Sequence, residues 1–391
     1  MYNLIEKTKN VLRLGKKVFY LYTTSLIRKN DTLWIFGSWF GEKYADNPKY
    51  LYEYCLSQGM NVVWFTRSPK VYDELKASSR PVILSGTKEA NRLASIAKYD
   101  VYCTNECDTD ALHTGGAIHI NLFHGIPLKK FGYDDKVTDN LDNSKVRLKD
   151  KMYSFPNRKT YTFPTSATVA KIHKSAFKVD EDHIIQIGQA RNDCFFDGSL
   201  PLVKYSDIHY NKVILYMPTH RNEGKSEIAI DKIFDLKKLN HFCRDNDLLF
   251  IVKKHFYHKH ETADFSAYSN FIDLSSGVYD TQEMLFNADI LITDYSSCYI
   301  DYLLLNRPVI FYNYDMNEYL MNDREMYLDY NNVTPGPMVQ SCDALLAAIS
   351  SALKMDVKTD ANYLRVKNMY YSPSNQSAVC PQLVDAILKL N

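Results

Sequence analysis

Four stretches of the chain place reactive or anion-binding side chains directly after short apolar runs. In NLFHGIPLKKFG, His124 closes such a run, Gly125 permits a tight turn, Pro127 fixes it, and Lys129 and Lys130 follow. A neutral imidazole at that place can take a proton from a hydroxyl near physiological pH. A lone histidine is more often structural, but the strand end and the two lysines favour chemistry here. YMPTHRNEGK sets Thr219, His220, Arg221 and Asn222 past a second run; arginine suits bidentate phosphate contact, although a polar loop alone would also explain the pattern. LLFIVKKHFYH ends on Lys253, Lys254 and His255, and strand alternation turns Lys254 and His255 to opposite faces. His258 and His260 have HxH spacing, yet no Asp or Glu clusters beside them, so no metal site is expected. The most informative stretch is ADILITDYSSCYIDYLLLNRPVIFYNYD. An apolar run ending at Thr293 enters Asp294-Tyr295-Ser296-Ser297 and then a helix. Ser296 and Ser297 are expected to cap that helix, whose first amides suit phosphate oxygens. Asp301, one turn on, is expected to hold a ribose or another hydroxylated group.

The elements that must position these residues alternate between short apolar runs and helices. Runs at 32–40, 61–66, 81–85, 100–105 and 117–125 read as strands, with helices between them. Asn47 is a plausible N-cap, with Pro48 at the first helical position and Gly59 past the end. Residues 129–160 are charged and polar and read as a long loop with some helix. Strands resume at 161–166 and 183–188, and a connector without clear periodicity fills 195–211. A second series follows at 212–220, 248–255, 271–275, 288–297 and 308–315; Asp280 and Glu283 have capping-box spacing within it. This alternation implies two α/β units with parallel sheets, each Rossmann-like, with ligands at the carboxyl ends of strands and a cleft between the units. The expected organisation is a helix at 1–30, a first domain at 31–195 and a second at 196–391. There is no GxGxxG and no Walker A motif.

Composition narrows the rest. The 391 residues carry 47 Lys plus Arg against 46 Asp plus Glu, so bulk charge does not hold this chain to nucleic acid, and none is expected as a partner. Eight scattered cysteines form no CxxC pair, which argues for a reducing compartment rather than zinc or disulfides. No signal peptide or membrane-spanning run is evident, so a cytoplasmic location is expected. In LIEKTKNVLRLGKKVFYLYTTSLI, helical spacing gathers Leu4, Ile5, Val11, Leu12, Val18, Phe19, Tyr22 and Leu26 on one face and Lys9, Arg13, Lys16 and Lys17 on the other. Such a basic amphipathic helix suits an anionic membrane surface, or packs on the protein body.

Taken together, FGSWFGEKYADNPKYLYEY, NLFHGIPLKKFG, IGQARND, YMPTHR, KKH, LITDYSSCYIDYLLLNRPVIFYNYD and TPGPMV resemble the CDP-glycerol glycerophosphotransferase family in kind and order. The resemblance implies the two-domain GT-B fold and transfer of glycerol phosphate from CDP-glycerol to a hydroxyl of a lipid-linked acceptor, with release of CMP. CDP-ribitol is the alternative donor. It implies catalytic roles for His124 and His255, and donor contacts from Thr219, Arg221, Lys254, Thr293, Asp294, Tyr295, Ser296, Ser297 and Asp301. Gly125, Pro127 and Lys129 fall on the acceptor loop. It also implies attachment to the inner membrane face. His124 is expected to act as general base on the acceptor hydroxyl, with His255 and Arg221 stabilising the diphosphate. No resident cofactor or metal is expected, although Mg²⁺ can accompany the diphosphate. The sequence departs from the family at Ile126, where a threonine is common, at His220, where a tryptophan is frequent, and near Asn375 and Cys380, where Gly and Arg are usual. The last departure puts a donor contact in doubt. Two rivals remain: a nucleotide-sugar glycosyltransferase on the same fold, and a non-catalytic membrane scaffold.

Overall fold

The computed structural model describes residues 2–135, 159–219, 221, 228–254, 265–277, 279–316, 319 and 325–390. The chain divides into two compact units. The first holds Met1–His124, Gly132–Asp193 and Ser377–Asn391; the second holds Gly125–Phe131 and Cys194–Gln376.

In the first unit the apolar runs form β1 (Asn30–Phe36), β2 (Val62–Thr66), β3 (Val82–Leu84), β4 (Ala97–Tyr102), β5 (Ile118–Asn121) and β6 (Thr160–Thr162). Their order in the sheet is β3-β2-β1-β4-β5-β6, with every pairing parallel. A parallel sheet needs apolar cover on both faces, and strand alternation supplies it. Trp34, Phe36 and Trp64 turn one way, onto Leu51 and Tyr52 of the helix Asp46–Ser57. Leu33, Ile35 and Phe65 turn the other way, onto Ala90 and Ala94 of the helix Lys88–Ile96.

The second unit repeats the plan with β7 (Lys212–Met217), β8 (Leu248–Val252), β9 (Phe271–Asp273), β10 (Ile290–Thr293), β11 (Val309–Tyr312) and β12 (Met338–Val339). The order is β12-β11-β10-β7-β8-β9, again all parallel. Read from its own first strand, this is the same Rossmann order as in the first unit. Each sheet therefore has a switch point, beside β1 and β4 in the first and beside β7 and β10 in the second.

The expected boundaries shift in three places. The last helix, Cys380–Leu388, packs Leu383 and Ile387 into the core of the first unit rather than the second. Asp193 fixes its start, its carboxylate accepting from Val379 N and Cys380 N, each at 2.7 Å. Residues 125–131 join the second unit through the Lys129–Met326 antiparallel bridge. The N-terminal helix, Tyr2–Ser25, is part of the first unit. Leu21 and Thr24 are buried, Lys17 pairs with Glu106 at 2.7 Å, and the Lys29 ammonium donates to the carbonyls of Thr24, Ser95 and Gly115. Burial pulls Lys29 down to about 8. Two strand assignments also change. Residues 38–40, read as the end of a strand, form a short turn, and 183–188 contribute only the parallel bridge Thr162–Ile184.

Candidate active site

In the first unit, β5 ends at Asn121 and the chain turns through Leu122-Phe123-His124. The His124 ring lies 4.2 Å from Phe123 and 5.2 Å from Trp39, centroid to centroid, and keeps partial exposure. Its Nδ1 is 3.1 Å from the carbonyl of Cys103. A carbonyl only accepts, so Nδ1 carries the proton, and in the neutral ring Nε2 is left with the lone pair. Burial pushes the imidazole below its ordinary value; Asp46 and the Cys103 carbonyl pull back, and Arg191 adds to the lowering. The ring is thus held in the form a general base requires.

The backbone beneath it is fixed by residues from two distant segments. Asn47 donates to the carbonyls of Leu122 (3.2 Å) and Phe123 (2.8 Å), and its own oxygen accepts from Arg191 N at 3.0 Å. Arg191 donates to the His124 carbonyl at 2.8 Å and pairs with Asp46. The second Asp46 oxygen accepts from Trp39 Nε1 at 2.6 Å. Asn47 is therefore not the helix cap read from its spacing. The helix has already begun at Asp46, and the Asn47 amide instead satisfies buried carbonyls. Behind Trp39, the buried Asp108 accepts from the amides of Phe40 (2.7 Å), Cys103 (3.0 Å) and Thr104 (2.8 Å). Gly37 permits this approach, because a Cβ there would meet the Asp108 carbonyl oxygen at 2.1 Å.

In the second unit the switch point is built on Asp294, which is fully buried. One of its oxygens accepts from Thr219 N (2.8 Å), Thr219 Oγ1 (2.6 Å) and Tyr295 N (2.6 Å); the other accepts from Arg221 Nη2 at 2.8 Å. Arg221 is gripped again by Asp315, Nε to Oδ2 at 2.6 Å and Nη2 to Oδ1 at 3.1 Å, and it donates to the Thr219 carbonyl at 2.6 Å. Four of its five N–H groups are thereby used. Tyr295 and Tyr319 stack at 3.7 Å beside the guanidinium, Tyr295 OH donates to Asp315 at 3.1 Å, and Tyr330 OH donates to the Asp294 carbonyl at 2.9 Å. Lys129 bonds the Tyr319 hydroxyl.

Set against the expectations, the geometry joins Thr219, Arg221, Asp294, Tyr295 and Lys129 in one cluster, but it changes what Arg221 offers. The guanidinium is a clamp between two carboxylates, with most of its N–H groups already engaged. Asp301 differs as well. It is buried, accepting from Tyr371 OH at 2.9 Å and Gln282 Nε2 at 3.4 Å, and so is an internal acceptor rather than a presented one. Thr293 donates to the Met217 carbonyl at 2.7 Å. The helix after the turn is only Cys298–Tyr302, Ser297 makes no side-chain cap, and Ser296 Oγ accepts from Cys298 N at 3.4 Å. Lys254 is buried, its amide bonded to Ser275 Oγ at 2.9 Å and its ammonium 3.9 Å from Asp273. Gly125 takes φ +143°, which glycine accepts freely; Pro127 is buried beside it. His255, His220, His258 and His260 lie outside the described residues. The residues missed in the sequence, Asp46, Arg191, Asp108 and Asp315, mostly sit inside the quoted motifs. Their signal was present, but no role could be attached to them. Cys380 is buried in the first unit's core and bound at its amide by Asp193, so its place is structural. Among the described residues, Asp180, Asp182 and His183 converge on an exposed turn; exposed acidic groups of this kind occur commonly without an ion.

Two Rossmann-order sheets, each carrying a polar cluster at its switch point, place the protein in the GT-B class of group transferases. Within that class the family described as CDP-glycerol:poly(glycerophosphate) glycerophosphotransferase matches residues 20–389, and the chain belongs to it. The chain is 28% identical over 377 residues to the teichoic acid glycerol-phosphate transferase of Staphylococcus aureus, covering 90% of this chain and 91% of that one. It is 31% identical over 203 residues to the teichoic acid poly(ribitol-phosphate) polymerase of Bacillus spizizenii, covering 49% of this chain and 32% of that protein. The solved structure of the wall teichoic acid polymerase TagF superposes with a TM-score of 0.75 at 26% identity, covering 98% of this chain and 96% of that one.

Proposed function

We propose that this protein transfers glycerol phosphate from CDP-glycerol to a hydroxyl of a lipid-linked polyol-phosphate acceptor in cell-surface glycopolymer synthesis. The observation that carries this reading is His124, whose Nδ1 is engaged by the Cys103 carbonyl so that in the neutral ring Nε2 keeps a lone pair. The acceptor oxygen attacks the β-phosphorus, its proton passes to His124 Nε2, the new P–O bond forms, and the bond to CMP breaks. Phosphoryl transfer depends on positioning and charge stabilisation more than on covalent steps. In this reading the turn at Asp294–Ser297 receives the donor's phosphates, with Arg221 and Asp315 holding the turn, and His255 completes the charge stabilisation. Incubating the purified chain with CDP-glycerol and a lipid-linked acceptor should release CMP and add one glycerol phosphate to the acceptor mass. Turnover with CDP-ribitol alone would change the donor and keep the mechanism, whereas absence of CMP binding would end this reading.

We also propose attachment to the inner face of an anionic membrane. Among the described residues no helix is long and apolar enough to cross a membrane. The helix Tyr2–Ser25 buries Leu21 and Thr24 against the body yet leaves Leu12, Phe19, Tyr22 and Leu26 exposed along one stripe, with Lys16 beside it. Leu12 and Phe19 lie two helical turns apart and share one face, the spacing that interfacial helices show. The chain should float with phosphatidylglycerol vesicles and not with phosphatidylcholine ones, and Phe19→Glu should release it.

A further inference from the structure

Among the described residues, eight non-glycine residues adopt left-handed backbone conformations. Four of them, Ser79, Lys178, Asp247 and Asn306, follow helix or 3-10 ends, where that conformation is an ordinary stop. Of the other four, Trp39 and Phe123 pack on the His124 ring, Asp46 acts on its charge, and Phe40 follows Trp39 in the chain. Trp39, Phe40 and Gly41 are consecutive, at φ +48°, +59° and +80°. A left-handed run through two bulky aromatic residues is disfavoured, and single residues are the usual limit. It persists because Asp108 holds the Phe40 amide while Arg67 holds the Phe40 carbonyl. The run turns the Trp39 ring onto His124 and Asp46 and leaves the Phe40 ring 51% exposed. Folding alone gives no reason to strain a bulky residue and then expose it.

Two cations flank the turn. The Lys43 ammonium lies 4.7 Å over the Trp39 ring. Arg67 is exposed, and its Nη1 serves the Phe40 and Cys107 carbonyls, leaving Nε and Nη2 for other acceptors. We propose that the Trp39-Phe40-Gly41 turn is the acceptor subsite and that it takes a phosphorylated polyol. The Phe40 ring covers the carbon face of the polyol, Arg67 takes its phosphate, and its hydroxyl is directed to His124 Nε2. This rests on the transferase reading above. The Trp39 ring that packs on the imidazole, 5.2 Å between centroids, joins this turn to His124.

The test uses the full chain, CDP-glycerol, and two acceptors, a lipid-linked disaccharide with and without one glycerol phosphate. Phe40→Ala should raise the acceptor KM about tenfold or more, the size expected for loss of one aromatic contact, while the CDP-glycerol KM and CMP affinity stay unchanged. Arg67→Gln should remove the preference for the phosphorylated acceptor. Phe40→Gly separates function from folding: glycine accepts the left-handed conformation, so the melting temperature should rise while the acceptor KM still rises. Unchanged acceptor KM in Phe40→Ala and Phe40→Gly, with wild-type turnover intact, would overturn the subsite. Wild-type protein that turns over CDP-glycerol with neither acceptor would instead remove the transferase reading on which it rests.

Discussion

The two units share one sheet order and place their polar clusters at the same topological position, yet they build them in opposite ways. At the first switch point the histidine side chain is left partly free. His124 has one ring nitrogen bonded, and the rigidity lies in the backbone around it, in four left-handed residues and in the grip of Asn47, Arg191 and Asp108. At the second, the side chains themselves are immobilised, with Arg221 shared between Asp294 and Asp315 under a tyrosine stack. A proton acceptor must keep a lone pair open, so only its surroundings can be fixed. A site that receives a charged donor gains from charges that need not reorganise.

The largest effect should come from the open side. His124→Ala is expected to lower turnover by about 10²–10⁴-fold, the usual contribution of a general base, with CMP affinity unchanged. Single-turnover CMP release and calorimetric CMP titration read the two quantities separately. Wild-type turnover in this variant would remove His124 from the chemistry.

The closed side should fail differently. Asp315→Ala removes one of the two carboxylates that grip Arg221 and leaves Asp294 to balance the guanidinium, so the loss is that of charge-assisted hydrogen bonds, about 1.5–3 kcal/mol. The second unit should therefore melt earlier while the first keeps its transition, and calorimetry resolves the two. If the second transition did not move, Asp294 alone would suffice to hold the guanidinium.

The sheets were legible in the sequence because each strand is a short apolar run bounded by helix caps, and Asp280 does cap its helix, accepting from Gln282 N. Short or polar elements were not. β12 is two residues long, and 183–188 has strand composition but pairs only once. His124 stood out because it closes an apolar run, although the strand itself ends three residues earlier at Asn121. Asp46 and Arg191 did not, since they meet across 145 residues of sequence and no local period connects them. Arg221 was found without its partners, because spacing shows that a guanidinium is near a loop but not how many carboxylates already hold it. The last helix was assigned to the wrong unit for a similar reason: its apolar face reads the same whichever core it covers.

A smaller effect separates the units by pH. His173 is buried behind Phe123, its Nδ1 2.6 Å from Thr162 Oγ1, and burial brings it down to about 3 from an ordinary 6.5. As pH falls below 6.5 the unfolded chain takes up this proton and the folded one does not, so stability is lost until the folded value near 3 is reached. The slope for one such group is about 1.4 kcal/mol per pH unit. Urea unfolding of the first unit should show it between pH 6 and 4, and His173→Gln should flatten it. A slope unchanged by that substitution would assign the acid sensitivity to other groups.

The smallest effect probes what holds His124. Asp46 raises the imidazole's proton affinity and Arg191 lowers it, although both secure the same stretch of backbone. Positioning alone would make Asp46→Asn and Arg191→Gln behave alike, each losing rate. The electrostatics make them differ in sign: the acid limb of kcat/KM should move to lower pH in Asp46→Asn and to higher pH in Arg191→Gln, around a wild-type limb already below the ordinary histidine range. Opposite displacements would show that the limb reports the His124 imidazole and that the pair sets its affinity as well as its place. Displacements in the same direction would leave Asp46 and Arg191 as backbone supports and move the titrating group elsewhere.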